Sequence, residues 1–245
     1  MQIVGIIPAR YQSTRFPAKP LAMIHGRPMI QHVYERSRLA SRLDRLLVAT
    51  DDTCILEAVE AFGGEALLTG SHHPSGTDRV AEACRLLNLS DGDIVVNIQG
   101  DEPLVEPVMI HLLIEALEKT PRCPMATLGF QTSDERDYLN PNVVKLVMDN
   151  SGRALYFSRS PLPCRRDAGD TPLSFIKHLG FYAYRNAFLQ TFTELSPGRL
   201  ENIEKLEQLR TLEHGYCIRV ALSPVETHGI DTPQDLEKLN LIMHP

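Results

Sequence analysis

Arg10, Ser13, Thr14, Arg15 and Lys19 crowd one short loop, directly after the apolar run Ile3-Val4-Gly5-Ile6-Ile7. Cations at that density suit a polyanion such as a nucleoside triphosphate, and arginine can grip phosphate oxygens bidentately. On composition alone a solvated basic turn is an equal alternative. Position favours a ligand, because open α/β sheets bind at the carboxyl ends of their strands.

A second apolar run, Ile94-Val95-Val96-Asn97-Ile98, leads into Gln99-Gly100-Asp101-Glu102-Pro103. Asp101 should therefore lie at the same sheet edge as the basic loop. Mg²⁺ takes one or two protein carboxylates plus phosphate oxygens and waters, which suits such an aspartate. A turn aspartate bonding its own backbone is the bland reading. Asp231, just before Thr232-Pro233, could supply a second carboxylate or merely serve a helix cap. The stretch Ser75-Gly76-Thr77-Asp78-Arg79 opens a helix, with Thr77 the expected cap and free amides available to a base edge or an anion. His72 and His73 beside it read as ordinary loop histidines. Farther on, Arg159, Lys177, His178 and Tyr182 form a polar set, and on a strand Lys177 and His178 point to opposite faces. Glu201, Glu204 and Glu207 read as a solvated helical face. There is no Gly-Lys dipeptide, hence no Walker A loop, and no GxGxxG after the first strand.

These residues need a frame. Strand-like and helix-like patterns alternate through the first 115 or so residues, with apolar runs at 3–7, 46–49, 65–68 and 94–98. That rhythm predicts a parallel sheet covered by helices on both faces. Beyond residue 120 it changes. Residues 143–148 and 154–157 flank Asp149-Asn150-Ser151-Gly152, a good hairpin turn, residues 158–174 read as a loop, and Phe175 to Tyr184 as a returning strand. Leu200, Ile203, Leu206, Leu209 and Leu212 recur at every third position. On one continuous helix that row winds around the cylinder, so two-sided burial is expected, against a second subunit or within one. No linker or repeat divides the chain, so a single domain over 1–245 is expected, with a lobe built from the second half.

The 245 residues carry a net charge of −6, with 43% hydrophobic and 23% charged side chains. No basic field exists to hold nucleic acid. No apolar stretch approaches the roughly 20 residues of a membrane helix. The cysteines Cys54, Cys84, Cys123, Cys164 and Cys217 are too far apart for a zinc motif and read as reduced thiols of a cytoplasmic protein.

Taken together and in order, the motifs resemble a known family. They run from Ile7-Pro8-Ala9-Arg10 through Lys19-Pro20-Leu21, Pro28-Met29-Ile30-Gln31-His32-Val33-Tyr34 and Ala49-Thr50-Asp51-Asp52. They continue through Ser75-Gly76-Thr77-Asp78-Arg79, Asn97 to Pro103, Tyr156-Phe157-Ser158-Arg159-Ser160, Lys177-His178 with Gly180, Leu206 to Arg210, and Gly229-Ile230-Asp231-Thr232. The set is similar to the 3-deoxy-manno-octulosonate cytidylyltransferases, or CMP-Kdo synthetases, of bacterial lipopolysaccharide synthesis. The resemblance implies a nucleotide-diphospho-sugar-transferase-like three-layer α/β sandwich, mostly parallel with a mixed second half. It implies that CTP and the acid sugar Kdo give CMP-Kdo and diphosphate, with Mg²⁺ as cofactor and a homodimer as the assembly, residues 1–120 being the nucleotide-binding half and 121–245 the sugar-binding and dimerising half.

Residue by residue, the resemblance implies triphosphate contacts from Ala9, Arg10, Ser13, Arg15 and Lys19, with Arg10, Lys19 and Asp101 carrying the catalytic load. Ser75, Gly76, Arg79 and Gln99 would complete the nucleotide site, and Asp101 and Asp231 would hold the metal. Arg159, His178, Tyr182, Glu207 and Gln208 would face the sugar, with Arg159 and His178 suited to its carboxylate. Ala18 departs from the family, which usually has glycine there. A cytidylyltransferase for another acid sugar such as sialic acid, or a nucleotide-binding module without turnover, are the alternatives.

Overall fold

The computed structural model describes residues 1–12, 16–166, 173–227 and 229–242. The first half gives β1 (Ile3–Ala9), a small hairpin of β2 (Met23–Ile24) and β3 (Arg27–Pro28), α1 (Met29–Arg38), β4 (Arg45–Thr50), α2 (Thr53–Ala61), β5 (Ala66–Leu68), α3 (Gly76–Leu86), β6 (Ile94–Asn97) and α4 (Pro107–Lys119). The second half gives β7 (Met125–Thr132), α5 (Glu135–Leu139), β8 (Lys145–Met148), β9 (Ala154–Ser158), β10 (Phe175–Arg185), α6 (Asn186–Glu194), α7 (Arg199–Glu204), α8 (Leu209–Glu213), β11 (Ile218–Leu222) and α9 (Pro233–Ile242).

One nine-stranded sheet runs through both halves in the order β11-β7-β10-β6-β1-β4-β5, with β8 on β10 and β9 on β8. β6, β1, β4 and β5 are parallel, as the strand–helix alternation predicted. β10 is antiparallel to both β6 and β7 and joins the halves. Its register shifts between Leu179 and Tyr182, so its first part pairs with β8 and its last part with β6. Apolar side chains on the two faces of the sheet form separate cores. One holds Ile7, Val48, Val96 and Phe181 under α1, α2 and α4, and the other Ile6, Leu47, Val95, Tyr184 and Phe192 under α3 and α6. Among the described residues no helix is long and apolar enough to cross a membrane.

Three expectations are corrected. The leucine row does not lie on one helix, because Lys205 takes a left-handed conformation (φ 54°) and divides it into α7 and α8. That break turns Leu206 and Leu209 into a single core, with Leu200 and Leu212 partly buried against it, and leaves Ile203 exposed. A second subunit is therefore not needed to account for the row. Ser75, not Thr77, caps α3, accepting the Asp78 N–H at 3.2 Å. The cysteines do not all remain thiols. Cys123 and Cys217, 94 positions apart, are joined in a disulfide with Cα atoms 5.0 Å apart. The parallel register that sets Ile218 against Met125 brings the residues before both strands together, and linear spacing gives no sign of it.

Candidate active site

The carboxyl ends of β1 and β6 open on a cavity of about 240 Å³, and Pro8, Ala9, Arg10, Lys19, Ser75, Gly76, Arg79, Gln99, Asp101 and Asp231 line it. Of the expected nucleotide residues, Ser13 and Arg15, with Thr14, lie outside the described residues. All the others meet here.

Lys19 reaches the cavity from a 3₁₀ turn, Lys19–Leu21, that starts at Ala18 in a left-handed conformation (φ 55°, ψ 24°). Ala18 holds the loop by donating its N–H to the Tyr11 carbonyl at 2.9 Å and accepting from Leu21 at 2.9 Å. A glycine would adopt that backbone without the Cβ penalty that Ala18 bears. The Lys19 Nζ lies 2.6 Å from Asp101 Oδ2 and 3.5 Å from Asp231 Oδ1. The two carboxylates thus converge on one point, although 130 residues separate them in the sequence. The Ile230 N–H donates to the Asp101 carbonyl at 2.9 Å and fastens the two segments together. Among the described residues no three His, Cys, Asp or Glu side chains form a metal cage. Two carboxylates facing a polyanion pocket fit Mg²⁺, which completes its shell with phosphate oxygens and water.

Behind Asp101 lies Glu102, whose Oε2 is buried and lacks a hydrogen-bond partner. Burial, reinforced by the Asp101 charge, pushes its carboxyl up to about 8. Lys177 points away from His178, as strand alternation requires, and pairs with Asp137 at 3.0 Å and with Glu226. Glu226 belongs to the segment leading to Asp231, so β10 braces the second carboxylate's arm.

Arg79 is almost fully buried and held in place by Asp51 at 3.1 Å, Thr69 Oγ1 at 2.7 Å and the Gly70 carbonyl at 3.3 Å. Gln99 donates to the Gly180 carbonyl at 2.9 Å, linking the cavity floor to the irregular part of β10. Gly76 lies so close to Pro8 that a Cβ would sit 3.3 Å from its ring.

The expected sugar residues form a neighbouring cluster on the α3 side of the sheet. Tyr182 pairs across the ladder with Asn97, and its ring lies 5.6 Å from that of His178. Burial pushes the Tyr182 hydroxyl above its ordinary range, and the charge of Glu207 adds to this. Glu207 accepts from Thr77 Oγ1 at 2.6 Å, and burial outweighs that bond in raising its carboxyl. It is therefore not part of a solvated face. Gln208 is buried with an unpartnered Nε2. Arg159 Nε donates to the Glu204 carbonyl at 2.7 Å and Nη1 to the Pro141 carbonyl at 3.0 Å. Its guanidinium is thus largely engaged with backbone oxygens.

His178 Nε2 lies 2.9 Å from Thr127 Oγ1, whose hydroxyl donates to the Phe181 carbonyl at 2.8 Å. The hydroxyl proton being used there, Thr127 takes the Nε2–H, and Nδ1 is left as an acceptor. Burial pushes the imidazole down to about 3. Near neutral pH His178 is therefore an uncharged hydrogen-bonding group.

His73 and Pro74 also line the cavity. Composition treated His73 as an ordinary loop residue, and only its adjacency to Ser75-Gly76 pointed here.

Residues 4–222 match the cytidylyltransferase family. The 3-deoxy-manno-octulosonate cytidylyltransferase of Syntrophobacter fumaroxidans is 68% identical over 97% of this chain and 95% of the relative. The 8-amino-3,8-dideoxy-manno-octulosonate cytidylyltransferase of Shewanella frigidimarina is 51% identical over 98% of each. Among solved structures, CMP:2-keto-3-deoxy-manno-octonic acid synthetase complexed with CTP superposes with a TM-score of 0.92 and 42% identity, over 99% of this chain and 98% of that one. A cytidylyltransferase from Leptospira borgpetersenii shares the fold, at a TM-score of 0.62 and 17% identity, over 98% and 85%. With this match along nearly its whole length, the chain belongs to the cytidylyltransferase family.

Proposed function

We propose that the protein activates 3-deoxy-manno-octulosonate with CTP, giving CMP-Kdo and diphosphate. The convergence of Lys19, Asp101 and Asp231 at the open end of the sheet carries this reading. The sugar's anomeric oxygen attacks the α-phosphorus and loses its proton, the new O–P bond forms, and the bond to the β-phosphate oxygen breaks in line. Such a reaction needs positioning and charge neutralisation more than a covalent nucleophile.

Arg10 and Lys19 meet the phosphates, while Arg79, Ser75 and Gly76 border the nucleoside end. Asp101 and Asp231 would hold Mg²⁺, which when bound neutralises phosphate charge and acidifies the attacking hydroxyl. Lys19, set beside both carboxylates on the cavity wall, offers its ammonium to the phosphates. His178, Tyr182, Glu207 and Gln208 offer buried hydrogen-bonding groups to the sugar. We place the reaction in the cytoplasm and the working enzyme in a homodimer, following the resemblance.

The Shewanella relative favours a second reading, an 8-amino-3,8-dideoxy acceptor. Diphosphate release from CTP and Mg²⁺ with Kdo, the 8-amino sugar, sialic acid or no sugar decides between them. Release with Kdo above all others is expected. Preference for another sugar overturns the acceptor, and silence throughout overturns the reaction.

A further inference from the structure

Lys177 stands next to His178 in the sequence but takes no place in the sugar cluster. Strand alternation turns it to the opposite face of the sheet, and it is not among the residues that line the cavity. Its side chain is only 13% exposed, and its ammonium joins Asp137 of α5 at 3.0 Å and Glu226. Burial opposes the charge, but the bonds to Glu226 and Asp137 outweigh it and raise the pKa. A charged lysine is thus held in the protein at a point that no substrate reaches.

Glu226 gives that lysine a connection to the reaction centre, because it lies five positions before Asp231. The arm between them is fastened at both ends by backbone bonds. The Ser223 N–H donates to the Gly129 carbonyl at 2.8 Å, and the Ile230 N–H donates to the Asp101 carbonyl at 2.9 Å. Asp231 itself has a side chain 52% exposed, so the course of the backbone, more than packing, sets where its carboxylate stands. Two carboxylates that converge on one point also repel each other, and the arm must resist that push. Lys19 relieves it from inside the cavity, where the phosphates compete for the same ammonium. Lys177 grips the arm from outside the cavity and keeps its hold when a polyanion enters.

We propose that Lys177 is a positioning residue for Asp231, fixing through Glu226 the arm that brings the second carboxylate to Asp101. The inference rests on the CTP and Mg²⁺ reading above and assigns the support of that cation's protein ligands. Loss of an outer partner of a metal ligand costs about 10- to 100-fold in metal-dependent affinity or activity.

Calorimetric titration of the full chain with CTP, at saturating Mg²⁺ and again in EDTA, isolates the affinity that the cation supplies. Lys177→Met is expected to bind CTP about tenfold or more weakly in Mg²⁺, while its affinity in EDTA stays within about twofold of wild type. Lys177→Arg keeps a cation for both carboxylates and should restore the Mg²⁺-dependent affinity. Glu226→Gln leaves Lys177 paired with Asp137 and should show the same selective loss, to a smaller degree. This variant carries the test if Lys177→Met does not fold. Combining the two substitutions should add little to Lys177→Met alone, since both act on one tie. By hydrogen exchange, the Ile230 amide should open faster in Lys177→Met, whereas the Ile98 amide, bonded to Ile6 within the sheet, should not change. An equal loss in Mg²⁺ and in EDTA would make Lys177 a general brace of the fold, and an unchanged Mg²⁺-dependent affinity would disconnect it from Asp231. Either result overturns the proposal. Wild-type protein that binds CTP equally well in Mg²⁺ and in EDTA is a different outcome, and it overturns the metal reading itself together with the role of Lys177.

Discussion

Replacing His178 by asparagine should flatten the acid side of the stability profile. The imidazole lies edge-on to Phe157 at 5.0 Å and donates to Thr127, while burial pushes its pKa from 6.5 down to about 3. In the unfolded chain the same ring gains a proton near pH 6.5. Between these values the unfolded state binds more protons, so stability rises with pH and is lost as the solution becomes more acidic. The slope is about 1.4 kcal/mol per pH unit for one group. The full contribution is present above about pH 6.5, and going from there to pH 5 removes about 2 kcal/mol.

Asparagine can keep the bond to Thr127 but does not titrate. Urea denaturation followed by circular dichroism, at intervals from about pH 5 to 8, gives both curves. The wild-type advantage should shrink by about 2 kcal/mol between pH 7 and 5. Imidazole ¹⁵N spectra should show the Nε2–H tautomer throughout that range. Parallel stability curves, or a ring titrating near pH 6.5, would refute the assignment of a neutral acceptor.

Turnover should fall about a hundredfold to a thousandfold in both Asp101→Asn and Lys19→Ala, with melting temperatures close to wild type, as single-turnover and thermal-unfolding measurements would report. Lys145→Met should cost about 3 kcal/mol or more in urea denaturation. Its buried ammonium donates to the carbonyls of Asn140, Val143 and Arg159 at 2.6–2.9 Å, and each would lose that donor. Ala18→Gly should stabilise the protein by about 0.5 kcal/mol, since relief of the left-handed strain exceeds glycine's unfolded-state entropy only slightly. A destabilised Ala18→Gly protein would contradict the strain reading.

The nucleotide half was legible because its signals are local. Apolar runs end at chemistry-bearing turns, so Arg10, Lys19, Gln99 and Asp101 could be assigned to one sheet edge before any contact was known. Asp231 was half-legible, because only the bond from Ile230 to the Asp101 carbonyl shows that its segment returns to the sheet edge marked by Asp101. What linear reading missed depends on long-range geometry. The left-handed Lys205 that breaks the leucine row has no residue signature, since lysine ordinarily continues a helix. Glu207 reads as solvated until Thr77, 130 residues away, bonds to it. Burial lowers the pKa of His178, and no neighbouring residue in the sequence announces that burial.

The interleaved position of β10 bears on how the chain is made. Once β6 has left the ribosome, one of its edges pairs with β1, but the other must wait for β10, which follows only after residue 175. At about 5–20 residues per second, the wait is of the order of 4–15 s. Throughout that interval an apolar strand, Ile94-Val95-Val96-Asn97, presents unpaired backbone groups that another chain could engage. Truncation before β10 would make that transient exposure permanent, so nascent fragments ending between residues 120 and 174 should be the aggregation-prone ones.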